Sequence, residues 1–311
     1  MKRFILKILL LLLPVAVLAV SMEYLLRQIP NDYTYKKNYL DKHSEEIQLL
    51  ILGSSEVYFG INPEYFSQNT FNASHVSQSL DLDFEIYKKY QNRFNDLKIV
   101  ILSISYHTLW RMLKSGEESW RVKNYAIYYG IDTKTLTDRS ELLNGKLGVN
   151  IQRLYNYYFE KKNYIPCSEL GWGTAYKSEI INDLEEAARA AVLRHTYKDL
   201  YSPENKKLFT ENMEILSSLA ESCNQKNTKI IFLTTPTYSA YREKLNKEQL
   251  NKMFETMNDF VTKHNNCQYI NWLDNPDFAM EDFYDADHLN EKGAKKLSEK
   301  LALYIDYEDG F

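Results

Sequence analysis

The chain is short of cysteine, of positive charge and of repetition. Three cysteines, Cys167, Cys223 and Cys267, stand in 311 residues. They are too few for a disulfide scaffold, and none has metal-ligand spacing. At most one pair can close. Cys223 and Cys267 each precede an expected strand, so a bridge and two free buried thiols both stay open. The net charge of −4 excludes the basic footprint of a nucleic-acid binder, so no nucleic-acid partner is expected. No internal repeat or low-complexity tract interrupts the chain, which has material for one large domain or two small ones. No cysteine follows the N-terminal apolar run, which excludes a lipoprotein anchor.

That run is the first informative feature. Lys2, Arg3 and Lys7 precede an uncharged apolar stretch over 8–22. A basic flank stays cytoplasmic, so everything after about residue 25 is expected across the membrane. The stretch is short for a span of roughly 17–25 residues unless Lys7 snorkels and Phe4 and Ile5 join it. A cleaved signal peptide is the alternative, because Ala19-Val20-Ser21 resembles a small-x-small cleavage site. Residues 1–27 therefore read as membrane anchor or signal peptide, 28–46 as a polar linker, and 47–311 as an extracytoplasmic domain.

Within that domain short apolar runs alternate with longer amphipathic stretches. Strands are expected over 47–52, 70–73, 97–103, 229–235 and 267–272. Helices are expected over 80–94, 206–223, 245–264 and, capped by Asn290, onward to 303. Continuous β-branched runs such as "LKIVILS" suit strands buried on both faces. The fold class this implies is α/β, a flavodoxin-like doubly wound parallel sheet with right-handed crossovers. An aromatic-rich, largely helical insertion over 106–205 comes after the third strand.

Two stretches carry chemistry. "ILGSSEVYFGINP" brings a buried strand straight into Gly53-Ser54-Ser55, which alone would be a turn. "FYDADHLNEKGAKKL" sets Asp285 three residues before His288, just ahead of a helix. That spacing lets a carboxylate hold one imidazole nitrogen so that the other faces a third group. Alone it would be an acidic turn. In a doubly wound sheet the ends of the first and last strands share the carboxyl edge, where ligands bind. A serine, a histidine and an orienting aspartate then converge, as nucleophilic acyl chemistry needs.

On these two stretches the chain resembles the SGNH (GDSL-like) hydrolase superfamily. "LGSSE" stands where that family has its Gly-Asp-Ser block, with Ser54 in place of the aspartate, and "DADH" stands where it has Asp-x-x-His. The resemblance implies Ser55 as nucleophile, His288 as general base and Asp285 as its orienter. It is similar in particular to a membrane-anchored subset that includes the D-alanyl-lipoteichoic-acid transfer protein and polysaccharide O-acyltransferase accessory proteins. Those share the Gly-Ser-Ser block, an N-terminal anchor and a tail that reads "DADHLNEKGA" here. The resemblance implies a serine O-acyltransferase or esterase acting on a cell-envelope glycan or polymer. It also implies a multi-pass membrane O-acyltransferase as partner, with no metal or organic cofactor.

Two departures from the family pattern bear on the oxyanion hole. The second block, "FNASHVSQSLD", has no glycine, and the third strand ends "LSISYHTLW" where the family has Gly-x-Asn-Asp. The hole must then be built from the Ser55 N–H with Asn72, Ser77 or Gln78 as candidate donors. Each missing donor costs about 3 kcal/mol of transition-state stabilisation. The same departures motivate the alternative of a non-catalytic scaffold or glycan-binding partner. Arg121 and Asn124 in "WRVKNY", and Tyr238 in "TTPTY", are candidate substrate-binding residues. His75 and His107 are expected to be structural or on the surface, and Asp287 to face solvent.

Overall fold

The computed structural model describes residues 1–179 and 183–308. Of the domain expected over 47–311, residues 180–182 and 309–311 lie outside the described ones. The chain opens with α1 (Lys2–Arg27) and α2 (Asp32–His43). It continues through β1 (Leu49–Leu52), α3 (Ser55–Gly60), β2 (Thr70–Asn72), α4 (Leu80–Tyr90) and β3 (Ile99–Ser103). Short helical turns lead to α5 (Leu147–Leu154), α6 (Leu184–His195) and α7 (Pro203–Gln225). Then come β4 (Lys229–Thr234), α8 (Lys247–Lys263), β5 (Cys267–Asn271) and α9 (Glu291–Glu308). Most of the expected 28–46 linker is thus helix α2, opened by Asn31, whose Oδ1 accepts from the Thr34 N–H at 2.9 Å.

The described residues divide into two compact units, one of 1–37 with 117–165 and one of 38–116 with 166–311. The stretch read from the sequence as a single insertion over 106–205 is therefore shared between them. The second unit carries the sheet, in the order β2-β1-β3-β4-β5 with every pairing parallel. Parallel neighbours need crossovers long enough for a helix, and the helical segments between the apolar runs supply them. Residues of β1 and β3 are buried throughout, which is why both read as unbroken Leu/Ile/Val. One face packs Leu49, Ile51, Ile99, Ile101, Ile231 and Leu233 against Leu297, Leu301 and Ile305 of α9. On the other face Phe232 meets Phe260 of α8 edge-on, ring centroids 5.5 Å apart. Cys223 and Cys267 are buried free thiols rather than a bridge, and burial pushes both up to about 12.

With the order β2-β1-β3-β4-β5, the chain leaves β1 toward β2 on one side and leaves β3 toward β4 on the other. A crevice opens beyond the carboxyl ends of such a pair. Gly53 occupies this point in an extended left-handed conformation, φ +124°. A Cβ there would lie 2.1 Å from Ser103 Oγ at the end of β3. Only glycine fits.

In the first unit α1 is exposed and carries no charge from Ile8 to Met22. It is the one helix among the described residues long and apolar enough to cross a membrane, a property that a signal sequence shares. Beside it Glu141 is buried between Lys123 Nζ at 2.6 Å and Arg153 Nη1 at 2.7 Å, with the Tyr128 hydroxyl donating at 2.7 Å. Burial opposes the charge of Glu141, but Arg153 and Lys123 outweigh it and hold the carboxyl down at about 2.

Candidate active site

Ser55 is the first residue of α3, so its N–H has no intrahelical acceptor and its side chain leaves from a helix start. The turn that presents it is fastened on both sides. The Gly53 N–H donates to Asp83 Oδ1 at 2.7 Å and the Ser54 N–H to Ser103 Oγ at 3.2 Å. Ser54 Oγ donates to the buried carboxylate of Glu56. The loop after β5 brings in the other half. His288 Nε2 lies 2.8 Å from Ser55 Oγ, and His288 Nδ1 lies 2.9 and 3.1 Å from the two oxygens of Asp285. Asp285 Oδ1 also accepts the backbone N–H groups of Asp287 at 3.1 Å and His288 at 2.9 Å. The carboxylate thereby fixes the loop as well as the ring. Serine, imidazole and carboxylate form one continuous relay.

His288 is nearly buried, and burial alone would lower its pKa. The charges of Asp285 and Asp287, the Asp285 hydrogen bond and Glu56 outweigh that and raise it to about 10. Burial works against the Asp285 charge too, yet His288 and the two backbone donors keep that carboxyl below its usual value. Asp287 does not face solvent as expected from the sequence. It is buried, 3.7 Å from His288 Nδ1 and 3.8 Å from His195 Nδ1, and burial with Asp285 and Glu56 pushes its carboxyl up. The alternation in "DADH" is the reason: Ala286 turns into the core, and its two neighbours turn to the imidazole. Asp285, Asp287 and His288 bring ligand atoms within 4.8 Å of one another. Both imidazole nitrogens are already engaged, Nδ1 by Asp285 and Nε2 by Ser55, so the cluster is arranged as a relay.

The oxyanion candidates separate. Asn72 is not a donor to this site. Its amide N–H groups go to the carbonyls of Val57 at 2.9 Å and Ile61 at 3.0 Å, and its oxygen accepts from the Ser74 N–H at 3.1 Å and from Ser74 Oγ. Both protons are committed to closing the carboxyl end of α3. Ser77, buried, adopts φ +63°, the left-handed backbone that glycine usually supplies. Gln78 donates from Nε2 to Asp83 Oδ1 at 2.6 Å. It lines a small cavity of about 10 Å³ with Gly53, Ser54, Ser103, His107 and Arg111, room for about one water molecule.

Arg121 and Asn124 belong to the first unit and are engaged there. Arg121 Nη2 pairs with Glu118 at 3.0 Å and its guanidinium stacks 4.4 Å from the Trp120 ring, and Asn124 ends the short helix over Val122–Asn124. They are not among the residues gathered at Ser55. Tyr238 is: its N–H donates to the Ala286 carbonyl at 2.9 Å and its ring meets Phe283, so it holds the "DADH" loop. His75 and His107 are buried. His107 stacks on His195 with centroids 4.0 Å apart, and burial holds both imidazoles well below their usual value.

Several residues of this site carry no sequence signal. Asp83 is buried, accepts from both Gly53 and Gln78, and burial pushes it up to about 7. Phe59, Tyr176 and Tyr284 form a stack with centroid spacings of 3.7 and 3.8 Å, and His288 stands edge-on to Tyr176 at 5.4 Å. Tyr176 comes from the loop over 166–179. That loop crosses the sheet edge through Gly171, whose Cβ would lie 2.1 Å from the Asn72 carbonyl oxygen.

No family profile and no curated protein matches the chain. Solved structures are similar to it. A provisionally assigned platelet activating factor from Streptococcus pneumonia is 11% identical with a TM-score of 0.45, over 95% of this chain and 98% of that one. A GDSL-like lipase from Bacteroides thetaiotaomicron is 10% identical with a TM-score of 0.40, over 90% of this chain and 100% of that one. A provisionally assigned acylhydrolase from Bacteroides fragilis is 9% identical with a TM-score of 0.38, over 86% and 95%. The case for catalysis rests on the relay rather than on these likenesses.

Proposed function

We infer that the protein is a membrane-anchored extracytoplasmic serine esterase or O-acyltransferase acting on a cell-envelope glycan or polymer. The observation that carries the chemistry is the unbroken relay from Ser55 Oγ to His288 Nε2 at 2.8 Å and from His288 Nδ1 to Asp285 at 2.9 Å. Ser55 Oγ attacks the acyl carbonyl and its proton passes to His288 Nε2. The tetrahedral adduct collapses, His288 returns the proton to the leaving alcohol, and the acyl group stays on Ser55. Water or a sugar hydroxyl then attacks the ester, gives its proton to His288 and releases the acyl product with Ser55 restored. The Ser55 N–H and Gln78 are the donors nearest in kind to an oxyanion hole. The envelope substrate and a multi-pass membrane acyltransferase partner rest on the resemblance of "LGSSE" and "DADHLNEKGA" together with the apolar α1.

One observation favours the non-catalytic alternative. Asn72, the side-chain amide best suited to an oxyanion, is wholly spent on α3. A serine-directed fluorophosphonate separates the readings. Labelling lost in Ser55→Ala and in His288→Ala is the enzyme outcome. Absence of labelling, with full complementation of a deletion strain by Ser55→Ala, is the scaffold outcome and ends the enzyme reading.

A further inference from the structure

Helix α5 runs on through a wider turn over Tyr155–Phe159, and its polarity is inverted. Leu147, Ile151, Tyr155 and Phe159 recur every fourth residue and so share one face. That face is open: Leu147 is 60% exposed, Ile151 51% and Phe159 76%, with Leu143 just upstream at 73%. Asn150 and Arg153 point the other way, while Gln152 is exposed and bonds Asn156 at 2.7 Å. Asn150 is 1% exposed and donates to the Glu141 carbonyl at 2.9 Å, and Arg153 donates to the Glu141 carboxylate. A water-facing helix has the opposite arrangement, apolar inside and polar outside.

The same segment is tied to the end of α1. Glu23 accepts from Ser140 Oγ at 2.9 Å and from the N–H groups of Glu141 and Leu142, each at 3.1 Å. Arg27 donates to the Arg139 carbonyl, and the Tyr158 hydroxyl to the Leu25 carbonyl at 3.1 Å. These joints sit in the last turn and a half of α1, where a spanning helix leaves the hydrocarbon. Lys146 and Lys161, both exposed, flank the apolar face at its two ends, as cations suited to lipid phosphates do.

We propose that residues 143–159 are a second membrane-contact element, lying in the headgroup–acyl boundary of the bilayer with Leu147, Ile151, Tyr155 and Phe159 in lipid. The inference rests on the reading of α1 as a span. A bilayer is the occupant because the segment is tied to the point where α1 emerges and its open apolar face ends in lysines. Tyrosine hydroxyls, as at Tyr155 and Tyr158, suit that depth.

The test uses the full chain reconstituted in phosphatidylethanolamine–phosphatidylglycerol vesicles. Cys167→Ser leaves two buried thiols, and a single new cysteine at Ile151→Cys or Leu11→Cys carries an environment-sensitive fluorophore. Spin-labelled lipids quench from either the headgroup-proximal or the chain-end position. The expected result is strong loss of emission at position 151 with the shallow label and little with the deep one, and the reverse at position 11. Emission at 151 unaffected by both labels while position 11 is quenched overturns the proposal and leaves the span standing. A blue-shifted but unquenched 151 probe means that a protein, not lipid, covers the face, and overturns it equally. If position 11 is itself unquenched, the span fails and the proposal fails with it.

Discussion

Asp285→Asn isolates the orienting role of the carboxylate. Asp285 Oδ1 accepts two backbone N–H groups, from Asp287 and His288. An asparagine must keep its oxygen there or leave both unpaired. Its NH₂ then occupies the Oδ2 position, 3.1 Å from His288 Nδ1. The kept oxygen still lies 2.9 Å from Nδ1 but carries no charge, and the NH₂ beside it opposes an Nδ1–H, so the balance moves toward the tautomer with the proton on Nε2. That tautomer offers Ser55 a proton instead of accepting one. Loss of the productive tautomer costs about 10⁴ in turnover, or about 5 kcal/mol in the barrier. Since the backbone bonds survive, the variant should fold. The assay is hydrolysis of an activated acetyl ester and the rate of fluorophosphonate labelling, beside a thermal melt. Asp285→Ala gives the contrast, because it loses the loop bonds as well and should melt lower. A folded Asp285→Asn protein with more than about a hundredth of wild-type turnover would refute the orienting role, since a loss below about 2.7 kcal/mol is too small for a blocked base.

Three further outcomes are expected. A base held at about 10 must lose its proton before it can act, so kcat/KM should climb with pH from 6.5 toward 10. Asp287→Asn should move that limb to lower pH, and a wild-type profile already flat above about 7.5 contradicts the acidic surround of His288. The same shift means that the His288 charge stabilises the fold below 6.5 and that this contribution is lost as pH rises through about 10. Gly53→Ala should cost about 3 kcal/mol or more, from a backbone region closed to other residues and from the overlap with Ser103 Oγ. Adding Ser103→Gly should recover part of the melting temperature, and strict additivity would show that the two do not collide. Asn72→Ala should lower the urea midpoint by the equivalent of about 2–4 kcal/mol through lost buried hydrogen bonds; an equally stable but slower protein would restore Asn72 to the oxyanion hole.

Much of the sheet and of the relay is legible in the sequence. Strands buried on both faces must be apolar at every position, so "LLIL", "IVILS" and "IIFLT" announce themselves, and the crossover rule leaves few orders for them. The ends of β1 and β5 then share an edge, which brings Ser55 and His288 together across 233 residues. What stays hidden depends on contacts that no local pattern encodes. Asn72 looks like any polar residue after a strand until the Val57 and Ile61 carbonyls are seen to need its amide. Asp287 reads as solvent-facing because an acidic neighbour of an acid is usually hydrated, and only the buried Ala286 betrays the twist of the loop. Tyr176 lies in a stretch with no periodicity at all. The split of the 106–205 segment arises from pairings of 139–142 and 158 with 23–27, which have no counterpart in spacing or composition.

Those pairings impose an order of events during synthesis. Glu23 leaves the ribosome 117 residues before Ser140, its partner. At about 5–20 residues per second the interval is roughly 6–23 s. Through it Glu23 and Arg27 have only each other and water as partners. Every strand up to β3 is made in that gap. The first unit can close only after the first three strands of the second have emerged, so a chain stalled before Arg139 has an unfinished first unit. A quality-control protease would meet the protein in that form.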